Sequence, residues 1–441
     1  MRTLILFILL SAPHVDANTI KSGPMLGHTT LRAANIWVQA KDKGEVKLHY
    51  WEKNQPKNIT KLSALLNSEL GNIHTFKLSN LYPATEYQYQ VFFGKKPKKA
   101  KTFSFTTQKL WQWREDPPEF SVLTGSCNFE NEADFDRAGK PYGDGWEIFY
   151  RMAEEDADMM LWLGDNWYYR EVDYTAEQSL LHRVMRDRSW PHLQPLMHSM
   201  PNYAIWDDHD YGPDNAASDF IFKEKSLELF KNYWANPSYG MPEAEGIFSK
   251  VQFNDVDFFL MDGRYHRSHE KFPDGPEKIM YGKAQLTWLK NQLIASKAPF
   301  KFIVGGNQML NDHHPWEGWD KYRHERDAFL QWLDDNKIPG IIFLSGDKHH
   351  SELLKVYRGG NYPLHELTCS PFTAGTHEHA LENDLKNPSL VKGTLVGTKN
   401  YCKLDFKGPR KDRRLEIQVI GPEGQVHWTK TINSSLLTSK E

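Results

Sequence analysis

The sequence is short of four things: cysteine, net charge, low-complexity sequence and long apolar runs beyond its N-terminus. A net charge of −3 over 441 residues gives no broad electrostatic case for nucleic acid or an anionic membrane. No stable nucleic-acid partner is therefore expected. A bilayer needs about 20 consecutive apolar residues, and no segment of the chain supplies them, so no transmembrane segment is expected. Without polar repeats there is no argument for disorder, and 39% hydrophobic with 25% charged residues fits a soluble globular protein. The composition says nothing about oligomeric state. The cysteines are Cys127, Cys369 and Cys402. Cys369 and Cys402 lie late in the chain and are candidates to pair in an oxidising compartment, which leaves Cys127 over.

What is present begins with a leader. Arg2 supplies a charged start, Leu4 to Leu10 an apolar run too short to span a membrane, and Val15-Asp16-Ala17 a small-residue cleavage site. Residues 1–17 are accordingly expected to be a signal peptide. The leader lacks an Arg-Arg pair, which favours the general secretory route. The protein is expected to be exported, periplasmic or secreted. Asn58-Ile59-Thr60 and Asn433-Ser434-Ser435 match glycosylation sequons, and nothing else calls for a glycoprotein.

A chain of 441 residues is long for one domain. Residues 18–109 read as all-β. Ala34 to Gln39 and Val46 to Trp51 alternate with the period of half-buried strands, and turn residues separate them. Leu81 to Tyr89 resembles the turn and strand of fibronectin type III-like sandwiches. A Pro- and Trp-bearing linker comes next. From 119 to 432 apolar strand-like runs alternate with helical segments, the pattern of a layered α/β domain with buried strands. Helices are expected over Trp146–Glu155, Ala176–Arg186, Ala216–Trp234, Gly282–Ser296 and Tyr322–Asn336. Residues 433–441 form a tail.

In open α/β sheets ligands bind beyond the carboxyl ends of the strands. Six apolar runs of the second domain lead into chemistry: Ser126-Cys127-Asn128, Asp165-Asn166-Trp167-Tyr168, Asp207-Asp208-His209-Asp210, Asp262-Gly263-Arg264, Asn307-Gln308 and Asp347-Lys348-His349-His350. Singly, each has an ordinary explanation as a turn, a surface ion pair or a small buried thiol. Chance would scatter such residues over both ends of a sheet, and here they gather at one.

The residue types fall into two groups. Cys127, Tyr168 and His349 suit a transition metal, and a phenolate particularly favours a hard trivalent ion such as Fe³⁺. Asp208 and Asp347, with an amide such as Asn215, form an oxygen-rich set suited to Ca²⁺, Mg²⁺ or Mn²⁺. Asp165 has two carboxylate oxygens and is placed to bridge the sets. Two ions about 3.5–4 Å apart clamp an in-line displacement at phosphorus.

At these strings, and at Trp206 to Gly212, Asp262 to Arg267 and Ser345 to His350, the chain resembles the metallophosphoesterase superfamily. It resembles in particular the PhoD-type alkaline phosphatases and phosphodiesterases, over nearly its whole mature length. The resemblance implies a layered metallophosphoesterase β-sandwich flanked by helices, preceded by the all-β domain. It implies Fe³⁺ held by Cys127, Asp165, Tyr168 and His349. Beside it Ca²⁺ would be held by Asp165, Asp347 and the Asp208 to Asn215 loop, with Zn²⁺, Mn²⁺ or Mg²⁺ as alternatives. Cys127 stands where the wider superfamily has Asp-x-His, and the leader lacks the twin arginines that PhoD-type leaders often carry. The expected activity is hydrolysis of phosphomonoesters or phosphodiesters by attack of a metal-bound hydroxide on the phosphate ester substrate. His209 is the expected general acid and Arg264 the expected partner of the phosphoryl oxygens. Rival readings are another metallohydrolase such as a nuclease or sulfatase-like enzyme, a non-catalytic Ca²⁺-binding exported module, and a glycosidase built on paired carboxylates.

Overall fold

The computed structural model describes residues 20–94 and 100–439, with the backbone alone at 378–380. The expected signal peptide lies outside the described residues.

The first seven strands are β1 (Ile20–Thr29), β2 (Ala34–Ala40), β3 (Glu45–Glu52), β4 (Thr60–Leu65), β5 (Ile73–Leu78), β6 (Glu86–Phe93) and β7 (Phe103–Thr106). They form a three-stranded sheet, β1-β2-β5, and a four-stranded sheet, β4-β3-β6-β7, every pair antiparallel. Alternation explains the layering, because the inward side chains Ile36, Val38, Val46, Leu48, Phe76, Tyr87 and Tyr89 share one apolar core. This sandwich also docks on the larger α/β domain. The Trp37 indole donates to the Asn232 carbonyl at 2.9 Å. The Arg188 guanidinium lies between the rings of Trp37 and Trp234, 5.3 and 4.1 Å from their centres.

The remaining chain builds two six-stranded sheets. One runs β10 (Asn202–Ile205), β9 (Met159–Leu163), β8 (Phe120–Gly125), β17 (Tyr401–Lys407), β18 (Arg414–Ile420), β19 (Val426–Asn433). The other runs β11 (Ser249–Phe253), β12 (Val256–Leu260), β13 (Phe300–Val304), β14 (Ile341–Ser345), β16 (Leu364–Thr368), β15 (Glu352–Val356). Strands β8, β9 and β10 are parallel, as are β12, β13, β14 and β16. These parallel runs are the apolar ones, and β9, β12, β13, β14 and β16 are buried at every residue, as strands covered on both faces must be. Phe406 of the first sheet contacts Phe258 and Phe302 of the second, so the sheets pack face to face.

Helices α1 (Ile148–Glu154), α2 (Glu177–Asp187), α3 (Gln194–Ser199), α4 (Asp208–Tyr211), α5 (Lys223–Tyr233), α6 (Gly282–Ala295), α7 (Arg323–Asp335) and α8 (Glu378–Asp384) fill the connections. The helix expected over Ala216–Trp234 is shorter, starting only at Lys223. Its first part wraps α4 instead. The Arg264 side chain and the Arg267 carbonyl occupy the Ala216 carbonyl and the Ser218 N–H, so this backbone is not available to a helix.

A disulfide joins Cys369, just past β16 of one sheet, to Cys402 on β17 of the other, and Cys127 stays free and buried.

Candidate metal centre

The parallel strands of both sheets end at one edge, and the turns leaving them carry the site. Three of those turns have Gly just before or within two residues of the functional group: Gly125 before Ser126-Cys127, Gly164 before Asp165, Gly346 before Asp347. Two of them are demanded by close approach. A Cβ on Gly164, whose φ is +99°, would lie 2.8 Å from the Asp207 nitrogen, and one on Gly346 would lie 2.6 Å from Ser126 Oγ. Cys127, Asp165, Asp347 and His349 themselves take positive φ, 64°, 53°, 65° and 56°. Such conformations cost on the order of 1–3 kcal/mol each in non-Gly residues, persist only where the surroundings enforce them, and cluster at functional sites.

The donor atoms converge. Tyr168 donates its hydroxyl to Asp165 Oδ2 at 3.1 Å, and the Cys127 sulfur is 3.4 Å from the same oxygen. Ser370 Oγ donates to the Cys127 sulfur at 3.2 Å. Ligand atoms of Cys127, Asp165 and His349 fall within 4.8 Å of one another, as do those of Asp165, Asp208 and His209, and those of Asp207, Asp208, Glu317 and Asp347. Asp165 thus belongs to two groups, one with the Cys127 sulfur and the His349 imidazole, the other with the Asp208 carboxylate and His209, and Asp208 links the latter to the carboxylate group of Asp347.

Electrostatics favour cations here. Burial, then Asp208, Asp207, Asp210 and Asp347, push the Asp165 carboxyl well above the usual carboxylate range. Burial and Asp165 push the Cys127 thiol and the Tyr168 phenol up as well. Burial, with His377 beside it, lowers His349 to about 3, so its imidazole is neutral. His349 Nδ1 faces the Gly375 carbonyl and, at 3.1 Å, the Tyr142 hydroxyl. That bonding fixes the tautomer and leaves Nε2 as the ligand atom. Asp208 Oδ1 has no hydrogen-bond partner among the described residues. A buried group of thiol, phenol, imidazole and carboxylates, one of them with an oxygen that accepts no hydrogen bond, fits a pair of metal ions: bound cations reverse these shifts and satisfy that acceptor. Cys127, Asp165, Tyr168 and His349 suit one ion, and Asp165, Asp208 and Asp347 the other.

The Asp207-Asp208-His209-Asp210 string divides its labour. Asp210 accepts the Asp207 N–H at 3.0 Å, the reach-back half of a capping box, and takes the Asn166 N–H at 2.8 Å. The outer aspartates therefore hold the one-turn α4, which presents Asp208 and His209. The His209 ring stacks on Tyr168 with centres 4.1 Å apart. Its Nε2 is 3.9 Å from Asp208 and 3.7 Å from Asp214. Asn215 reaches Asp208 through its backbone N–H, at 2.7 Å, while its side-chain amide donates to Asp214.

Arg264 departs from its expected role. The guanidinium is wholly buried and bonded to Asp207 at 2.6 Å, to both oxygens of Glu317 at 2.5 and 3.1 Å, and to Asn307 at 3.2 Å. Its donors are taken, so it positions Asp207 and α4 and does not reach for phosphoryl oxygens. Asp262 is equally committed, accepting from Trp206, Arg264 and Ile247. Glu317 escaped sequence reading, because nothing about an acidic residue in a loop shows that two buried arginines, Arg264 and Arg267, will close on it. Ser370 and Tyr142 were missed too, since each meets the site from a turn distant in sequence.

A family model for PhoD-like phosphatases matches residues 133–411, well over half of the chain. The chain belongs to the PhoD-like phosphatase family. Its fold agrees. A solved structure of PhoD superposes with a TM-score of 0.77 at 15% identity, covering 97% of this chain and 93% of that one. Purple acid phosphatase PPD1 from yellow lupin seeds (Lupinus luteus) gives 0.64 at 14% identity, covering 93% of this chain and 74% of its own. Human tartrate-resistant acid phosphatase type 5 is 25% identical over 214 residues, 43% of this chain. This PhoD-like chain spans 61% of that relative's length. Among the described residues no helix is long and apolar enough to cross a membrane.

Proposed function

We propose that the protein is an exported, metal-dependent phosphoesterase that hydrolyses phosphomonoesters, phosphodiesters or both, with an Fe³⁺ and a Ca²⁺ ion held at the strand ends. The observation that carries this reading is the pair of donor sets sharing Asp165, one of sulfur, phenol and imidazole, the other of the Asp208 carboxylate beside His209. Family membership supports phosphate ester chemistry on that scaffold. When bound, the ions supply Lewis acidity at phosphorus and a water acidified to near neutrality.

The chain's own residues do the rest. Asp165 holds the two donor sets in register. Ser126 and Ser370, each 3.2 Å from the Cys127 sulfur, stabilise its thiolate, a ligand and not a nucleophile. His209, half-buried at the rim and stacked on Tyr168, gives a proton from Nε2 to the leaving oxygen. Asp208 and Asp214 lie within 4 Å of that Nε2, at the mouth of the site. Arg264 and Asn307, both held by Glu317, clamp Asp207 and so fix the angle at which α4 presents His209. Export is supported by the Cys369–Cys402 disulfide, a bond that persists in oxidising compartments.

The test is metal analysis with a visible spectrum, alongside hydrolysis of nitrophenyl phosphate and bis-nitrophenyl phosphate. Iron with a charge-transfer band that disappears in Tyr168→Phe is expected. Stoichiometric zinc without a band would overturn the iron assignment, and inactivity on both esters would overturn the phosphoesterase reading.

A further inference from the structure

We propose that His350, Glu352 and Asp384 form a second metal site, distinct from the strand-end pair, that takes one divalent transition cation of the zinc type. His349 and His350 are consecutive, yet their rings serve different groups. His349, at φ +56°, turns the chain so that its imidazole joins Cys127 and Asp165, while His350 joins Glu352 at the start of β15 and Asp384 at the end of α8. All three residues are buried, with 2%, 0% and 3% exposure.

Three observations point to a cation. First, His350 Nε2 lies 3.6 Å from Glu352 Oε1 and 3.7 Å from Asp384 Oδ2. Those separations exceed the roughly 2.7–3.2 Å of a hydrogen bond. They are close to the edge of about 3.3–3.6 Å expected between ligands about 2.0–2.2 Å from a tetrahedral ion. Second, His350 Nε2 and Glu352 Oε2 have no hydrogen-bond partner among the described residues, a costly state for buried polar atoms. Third, the charges close, because two carboxylates and a neutral imidazole balance a divalent ion. The neighbouring cation, Lys348, is engaged with His314 and the Glu317 carbonyl at 3.1 and 3.2 Å. Around the ligands stand orienting amides: Gln308 donates to Glu352 Oε1 at 2.6 Å and Asn311 at 3.4 Å.

The site has a structural consequence. Asp384 sits in the excursion between β16 and β17, which also supplies the Gly375 carbonyl and the His377 ring packed on His349, centres 4.7 Å apart. That excursion returns to β15 and the turn before it through the bridges Ser351–Val396 and Leu354–Leu390. An ion between Asp384 and β15 pins the excursion beside the strand-end centre.

The inference goes beyond the phosphoesterase reading and is tested apart from it. Full-length wild type, Asp384→Asn and Asp165→Asn are stripped with chelator, reloaded with zinc, and assayed for bound zinc per chain. Asp384→Asn should hold one equivalent fewer than wild type, and Asp165→Asn should lose the strand-end ions while keeping this one. Equal zinc in wild type and Asp384→Asn overturns the proposal, whereas equal zinc in wild type and Asp165→Asn counts against the strand-end reading alone. Should Asp384→Asn fail to fold, crystals of the wild type decide the matter by anomalous scattering at the zinc edge. A peak bonded to His350 Nε2 is expected, and peaks at the strand ends only would overturn the site. Short His350-to-carboxylate hydrogen bonds in those crystals, without a peak, would show an imidazolium ion pair in its place.

Discussion

Arg264 and Glu317 form a bidentate ion pair, 2.5 and 3.1 Å, with both side chains sealed from solvent. Arg267 adds a third contact at 2.7 Å. Burial alone would raise the Glu317 carboxyl, but Arg264 and Arg267 outweigh it and hold it well below the usual carboxylate range. A lowered folded pKa stabilises above the unfolded value, here 4.5, and that stabilisation is lost as pH falls through the folded value. Glu317→Gln leaves two buried guanidinium groups short of a counter-charge and should cost about 3–5 kcal/mol in urea denaturation at neutral pH. Its stability should also fall less steeply than that of wild type below pH 5. Parallel acid slopes would show that the pair carries no such linkage.

His209→Ala should retain both strand-end ions and lose activity unevenly. A general acid contributes on the order of 10²–10⁴-fold, and most where the leaving group is a poor one. An alkyl phosphate should therefore suffer far more than a nitrophenyl phosphate. Equal losses on the two would assign His209 to positioning.

Metal removal should change how stability depends on pH. Burial pushes Asp347 up to about 6, with Glu317 and Asp208 adding to the rise against Lys348. A carboxyl raised in the folded state keeps its proton where the unfolded chain has released it. Stability therefore falls as pH climbs from the ordinary value of 3.8 towards 6, and Asp165 acts in the same sense. The chelated protein should have a higher Tm at pH 5 than at pH 8. Reloaded protein should reverse that order, because cations need the carboxylates ionised.

The Cys369–Cys402 bond spans 33 residues and links the two six-stranded sheets. Chain-entropy arguments put its contribution at about 3–4 kcal/mol. Cys402→Ser should lower Tm accordingly, and dithiothreitol should do the same to wild type alone. Ser370 is next to Cys369 and bonds the Cys127 sulfur, so the variant should also bind its transition metal less tightly.

Much of the site is legible in the chain. Cys127, Asp165, Asp208, His209, Asp347 and His349 each come after an apolar run, and the structure brings them together because parallel strands end on one edge. The chemistry of Asp165 marks it as the shared residue, and the structure sets its carboxylate against both Cys127 and Tyr168. Arg264 lies beside the site as its sequence neighbours suggest, but a sequence does not show which donors are already spent. The long helix expected from Ala216 fails for the same reason, its first residues being claimed by α4 and the arginines.

The period of the strands, the α/β alternation and the identity of the metal-type side chains are readable along the chain, because each depends on residues close in sequence. Folding in three dimensions settles that Glu317 closes on Arg264, that Cys369 meets Cys402 across two sheets, and that adjacent His349 and His350 serve separate groups. Those outcomes depend on which turns pack together once two sheets stack, on positive-φ residues that the packing enforces, and on burial that leaves each polar atom either partnered or available to an ion.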